Sequence, residues 1–235
     1  MSTLLSRVAL ATAVLLSLAG AAAAADDYPN RPVRMIVPFP PGGSNDVVGR
    51  LLARQLSEEL KQQVYVDNRG GAGGTIGTEA CSVAAPDGYT ICIISIAHAV
   101  NPWLHKLKYD PIKSFVPISI LATGPNVLVV NKDAPFQTVQ DLLAAAKAAP
   151  GQLNYASAGV GSFQHLGGEL FKLMEKVDMV HVPYKGGAPA LTAVVAGEVD
   201  MMIISVPTTL PFIKSGRLKV FAVSAPGRVA SLPDV

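Results

Sequence analysis

The sequence predicts an α/β protein of two lobes, each a parallel sheet covered by helices on both faces. From Asp27 onward, short apolar runs of strand character alternate with segments of helical hydrophobic period, the pattern of parallel sheets with crossover helices. The alternation breaks once, after Ser95, where His98, Asn101-Pro102-Trp103 and Tyr109-Asp110-Pro111 give an irregular texture. One motif, a short strand, a small-residue turn and a helix start, appears on each side of that break, at Val33–Asp46 and again at Tyr155–Phe163.

In the first lobe, the strand Val33–Val37 enters a Pro-rich turn, then Gly42-Gly43 and an N-cap at Ser44 or Asn45. The helix from Asn45 to about Gln62 carries Val48, Leu52, Leu56 and Leu60 four apart with Val47 and Leu51 beside them, and Arg54 can pair with Glu58 outside. Strand Val64–Val66 leads to the glycine loop 67–74 and a helix over 75–84. Pro86-Asp87-Gly88 then turns the chain into a strand over 89–94. Beyond the break, extended segments are expected at Phe115–Leu121 and Asn126–Val130. Helices follow at 138–148, 162–176, 188–196 and 207–215, and strands at 154–156, 179–182, 200–204 and 218–223, with Pro150-Gly151 and Gly197-Glu198 as helix stops.

The N-terminus reads as a secretory signal: Arg7 in the n-region, Val8–Leu18 as the apolar core, and Ala23-Ala24-Ala25 as the cleavage site. An exported, periplasmic protein is expected, with no lipid anchor because no cysteine stands at the cleavage point. A formal charge of +2 with scattered basic residues gives no nucleic-acid footprint. The two cysteines, Cys81 and Cys92, can form a disulfide in an oxidising compartment or remain buried thiols.

Both strand–turn–helix motifs make sites for anions without basic side chains. Glycines let backbone approach a ligand, and first-turn N–H groups lack intrahelical partners at the positive end of the helix dipole. Two such loops facing each other would clamp a ligand with two acidic ends; each can also do no more than close its own βα unit. Gly71-x-Gly73-x-x-x-Gly77 misses the dinucleotide spacing by one residue and lacks a clear ribose-binding acid. Ser162 is not in a G-x-S-x-G elbow, and no spacing of acids and histidines defines a triad. His165 and Glu169 share a helix face but are too few for a metal. His98 can reach the cleft or serve structure, His181 reads as core or rim, and Lys185, at a further strand–helix junction, can steer anions but reads rather as a solvated lysine. No cofactor or metal is expected. A hydrolase or transferase using a Gly-Ser loop as nucleophile is the competing reading.

Five ordered motifs carry a resemblance: Phe39-Pro40-Pro41-Gly42-Gly43-Ser44-x-Asp46, Asn68-Arg69-x-Gly71-Ala72-Gly73-Gly74-x-Ile76-Gly77, Pro86-Asp87-Gly88-Tyr89-Thr90, Pro183-Tyr184-Lys185-Gly186 and Gly197-Glu198-Val199-Asp200. From about Tyr28 to Val235 the chain resembles the Bug family, periplasmic receptors of tripartite tricarboxylate transporters. The resemblance implies an α/β, two-lobed, type II periplasmic-binding-protein-like fold that closes over a small carboxylate, with membrane subunits as transport partners. It implies ligand contacts from Phe39, Gly42, Gly43, Ser44 and Asp46, backed by Ala72 and Gly73, and from Ser157, Gly159, Val160, Gly161 and Ser162 in the second lobe; ordered water would link these loops to one carboxylate. Where many relatives carry an acid or amide, this chain has Ile204-Ser205, so the resemblance puts Ser205 among the ligand contacts and speaks against recognition of an amine on an amino-acid ligand. On this reading residues 1–25 are signal, 26–100 the first lobe, 101–221 the second, and 222–235 the start of a return to a first lobe left incomplete.

Overall fold

The computed structural model describes residues 28–235; the signal segment lies outside the described residues. The first lobe holds β1 (Val33–Val37), α1 (Ser44–Leu60), β2 (Val64–Asn68), a 3-10 turn (Ala72–Gly74), α2 (Thr75–Ser82), β3 (Thr90–Cys92) and α3 (Ile96–Leu104). The second holds β4 (Asn126–Asn131), α4 (Val139–Ala148), β5 (Asn154–Ser157), α5 (Phe163–Glu175), β6 (Val180–Pro183), α6 (Gly187–Ala196), β7 (Met201–Ser205), α7 (Val206–Lys214) and β8 (Leu218–Val223).

The first sheet has the order β2-β1-β3 and is parallel throughout. Its centre, β1, is apolar on both faces because both are covered: Val33, Met35, Ile36 and Val37 are all buried. Helix α1 lies close over it at Gly49, where a Cβ would stand 3.0 Å from the Val37 side chain. Leu52, Leu56 and Leu60 pack on this core as the periodicity predicts, and Arg54 meets Glu58 at 3.3 Å. Leu51 departs from the expectation and is exposed, because the helix presents its small residues Gly49 and Ala53 to the sheet and turns Leu51 outward.

The second sheet has the order β6-β5-β7-β4-β8. Strand β4 alternates its faces: Val127 and Val129 join one core with Leu191 and Val194 of α6, while Leu128 and Val130 join another with Leu142 and Ala146 of α4. The expected all-parallel sheet is corrected here, since β4 runs antiparallel to both β7 and β8. Asn126 lies opposite Ser205, the C-terminal residue of β7, so the chain enters this sheet at the edge where the parallel strands end, and its first strand runs the other way.

Three further differences concern the connections. The stretch after Ser95 is a helix, α3, continuing to Leu104 through Pro102, so a lobe boundary at residue 100 would cut it. Residues 115–125 form no strand, and Ile112, Val116, Ile118 and Ile120 are each more than 80% exposed. After β8, Leu232 is buried in the second-lobe core with Val229 and Val235 against it, so residues 224–235 stay on that lobe where a return to the first was expected.

Candidate functional site

Helices follow the C-terminal ends of the parallel strands in both sheets, and those two edges face each other with the lobes in contact. Ser44 Oγ lies 2.6 Å from Ser205 Oγ and 3.2 Å from Thr208 Oγ1, joining the start of α1 to the start of α7. Phe39, Ala97 and Ala158 form a small apolar cluster across the junction. The approach is closest at Gly73, where a Cβ would fall 2.4 Å from the Val160 carbonyl oxygen, and at Gly186, where one would meet Pro40 at 2.7 Å.

Two cavities occupy this junction. The larger, about 280 Å³, is lined by Phe39, Pro40, Gly71–Gly74, His105, Ala158–Val160, Tyr184 and Lys185. The smaller, about 20 Å³, shares Phe39 and Ala158 and is otherwise lined by Gly43, Ser44 and Asn45 of α1, Ser95 of α3, Ser162, Phe163 and Gln164 of α5, and Gly187 of α6. Four helix N-termini therefore converge on one space with no Lys, Arg, Asp or Glu in its lining. The N-caps of α1, α3 and α6, Gly43, Ser95 and Gly186, make no side-chain cap bond, which leaves first-turn amides for a ligand; Ser162 caps α5 by accepting from His165 N–H at 3.3 Å. The Asn45 amide nitrogen is buried without a partner. Each N-terminus favours an anion by about 0.3–1 kcal/mol, so several in one place offset negative charge without a basic side chain.

Of the residues singled out from sequence, Phe39, Ala72, Gly73, Gly159, Val160 and the exposed Lys185 line the larger cavity, and Gly43, Ser44 and Ser162 the smaller. The rest lie behind these surfaces. Asp46 is buried, and its carboxylate accepts from Gly42 N–H, Arg50 Nε and Asn68 Nδ2, each at 2.9 Å. Burial opposes its ionisation, but these bonds outweigh it and hold the carboxyl below its usual range. Asp46 thus staples the Gly42-Gly43 turn to α1 and β2. Ser157 is fully buried, its hydroxyl 2.6 Å from His181 Nε2 and accepting from Gly159 N–H at 3.0 Å. Gly161 donates its N–H to His165 Nδ1 at 3.3 Å, and Ser205 is bonded to Ser44 and Thr208. His98 lines neither cavity: its Nε2 lies 2.7 Å from Pro111 O, and its ring packs against Tyr109 and Phe115. That locks the segment after α3.

Ser95, Gln164, Gly187 and His105 line the cavities with no ligand role expected from sequence, and so do Asn45, Phe163 and Tyr184, which the sequence offers only as parts of motifs. Ser95 was hidden because the helix it precedes was not recognised. The Gly186-Gly187 junction carried a usable signal, a third strand–glycine–helix start. Cys81 and Cys92 have free thiols within hydrogen-bonding contact of each other; this contact and burial push Cys92 up, while the contact, with Arg34 nearby, holds Cys81 down against its burial. Among the described residues no group of His, Cys, Asp and Glu is placed to hold a metal, and no helix is long and apolar enough to cross a membrane.

A family model described as the tripartite tricarboxylate transporter family receptor matches residues 48–235. The chain is 42% identical over 211 residues to a UPF0065 protein from the tcbD-tcbE intergenic region of Pseudomonas sp. strain P51, covering 89% of this chain and 63% of that protein. It is 39% identical to protein BugT of Bordetella pertussis, covering 98% of this chain and 72% of the relative. Among solved structures, MatC of Rhodopseudomonas palustris with bound malate superposes with a TM-score of 0.83 at 34% identity, over 88% of this chain and 71% of that one. The chain thus spans roughly two thirds of its relatives' length. With two facing α/β lobes, a cleft of helix N-termini and a family match over most of its residues, the chain belongs to the tripartite tricarboxylate transporter receptors, the Bug family.

Proposed function

We propose that the protein captures a small organic acid with two or more carboxylates in the periplasm and presents it to the membrane subunits of a tripartite transporter. The observation that carries this reading is the convergence of four helix N-termini on a cleft space without basic side chains, beside a larger cavity that can take the body of the ligand. Amide donors and dipoles select the carboxylate at the four N-termini by geometry, and Lys185 in the lining of the larger cavity is a basic side chain within reach of the rest of the ligand. The malate-bound relative supports a dicarboxylate. Closure of the lobes supplies donors from both sides at once, as Ser44 and Ser162 line the same space.

The competing reading, a hydrolase with a serine nucleophile, has one feature in its favour, the Ser157–His181 contact at 2.6 Å. Against it, the hydroxyl is completely buried and already accepts from the Gly159 amide, so no substrate carbonyl can approach. Calorimetry of the purified protein with malate, adipate, citrate and glutamate, with each mixture assayed for turnover, tests both readings. Saturable binding of at least one di- or tricarboxylate without turnover is expected; turnover, or no binding to any of them, would overturn the proposal.

A further inference from the structure

Beneath the second-lobe loop lies a group of ionisable side chains for which ligand capture has no direct use. The rings of His165 on α5 and His181 on β6 lie 4.3 Å apart, and Tyr155 of β5 stacks on His181 at 4.9 Å. Tyr155 donates to Glu169 at 2.6 Å, and Lys172 lies 3.1 Å from the same carboxylate oxygen. The two imidazoles are bonded to the loop that lines the cleft: His165 Nδ1 accepts from Gly161 N–H, and His181 Nε2 meets the Ser157 hydroxyl that in turn accepts from Gly159 N–H.

We propose, resting on the carboxylate-receptor reading, that His165 and His181 are positioning residues: as neutral imidazoles they hold Gly159 and Gly161 in the ligand-gripping arrangement, and proton uptake by the pair loosens it. An imidazole can accept from Gly161 N–H only through an unprotonated Nδ1, so charging His165 sets one N–H against another. Charging His181 makes Nε2 a donor, and the Ser157 hydrogen must then find another acceptor. At 4.3 Å between rings, the first proton also opposes the second.

The surroundings fit this role. Burial holds both rings below the usual histidine range, His181 to about 4, with His165 itself a further cause of the lowering at His181. The ionisable groups facing the pair are Tyr155 from β5 and Glu169 and Lys172 from α5. Glu169 favours the charged imidazoles and Lys172 opposes them. Glu169 is engaged by Tyr155 and Lys172, which blunts its pull on the rings.

The test follows the imidazole and amide resonances of the whole ligand-free protein by NMR from pH 7 to pH 4, together with malate affinity of the wild type, His165→Leu and His165→Asn. The Gly161 amide is expected to move with the His165 titration in the wild type. In His165→Asn, whose side-chain oxygen takes the place of Nδ1 without titrating, that movement should disappear. At pH 7, His165→Leu should lose at least about tenfold in affinity, and His165→Asn should restore most of it. A Gly161 amide that stays still while His165 titrates would overturn the proposal whether or not malate binds. Wild-type affinity in a folded His165→Leu would do the same. Failure of the wild type to bind any carboxylate sinks the receptor reading instead, and the ligand-free amide data still decide the positioning role.

Discussion

Asp46 shows how an acidic residue serves an anion site from behind. It accepts three hydrogen bonds and faces neither cavity, so it shapes the Gly42-Gly43 turn without opposing the ligand. Asp46→Asn should cost about 1–3 kcal/mol in denaturant unfolding, because it loses the charge-assisted bonds that offset burial. Since the folded carboxyl ionises below its ordinary value of 3.8, its contribution is present above that value and is lost as pH falls through the lower folded one; Asp46→Asn should therefore flatten the acid limb of the stability profile. His181 acts at milder pH: its folded value near 4 lies below the ordinary 6.5, so the unfolded chain binds the proton first, and stability should decline from about pH 6.5 toward 4. His181→Gln should make that decline shallower in thermal melts taken across this range, leaving the part due to the buried His165. Gly73 has φ +62° and stands where a methyl would meet the Val160 carbonyl of the opposite lobe at 2.4 Å. Gly73→Ala should weaken carboxylate binding by more than about tenfold, through a lobe contact it can no longer make, while lowering stability by only about 1–2 kcal/mol.

At the scale of elements, the fold depends on how closely helices can approach the sheets. Gly168 on α5 sits over the Tyr155 ring, where a Cβ would lie 2.2 Å from Cε2. Gly168→Ala should force the ring or the helix aside at a cost of about 1–3 kcal/mol, and it should disturb the Tyr155–Glu169 bond, measurable as a changed tyrosine environment in near-ultraviolet dichroism. The spacing of apolar residues predicted nearly every helix and strand to within a residue or two, because each element buries a face whose period is local. Helix α3 was missed because Pro102 and the polar residues around it obscure the period; its buried face is only Ala97 and Asn101. Residues 115–121 are expected to be extended, yet no described strand pairs with them. Propensity alone does not make a strand; a hydrogen-bonding neighbour does.

For the whole molecule, Val116, Ile118 and Ile120 are exposed and join no core cluster. Ile118→Lys with Ile120→Lys should therefore leave the melting temperature within about 2 °C. A dicarboxylate that engages both lobes should stabilise the folded state by about 2.7 kcal/mol at a hundredfold excess over Kd.

The amino-acid sequence by itself determined the α/β alternation, the two glycine-rich strand–helix junctions and the family resemblance, because each is written in neighbouring residues. Tertiary structure alone decided which junctions share a cavity. It brought Ser95 and Gly187 to the same space as Ser44 and Ser162, turned Asp46, Ser157 and Gly161 into supports behind the surface, drew His98 into a packing role, and paired His165 with His181. It also reversed β4, since the direction of a strand depends on which edge of the sheet the chain enters. Helical and strand periods report only whether a side chain faces the core or the solvent. The meeting of two lobes across a cleft joins residues more than a hundred positions apart, and no local pattern encodes which polar group will find which partner there.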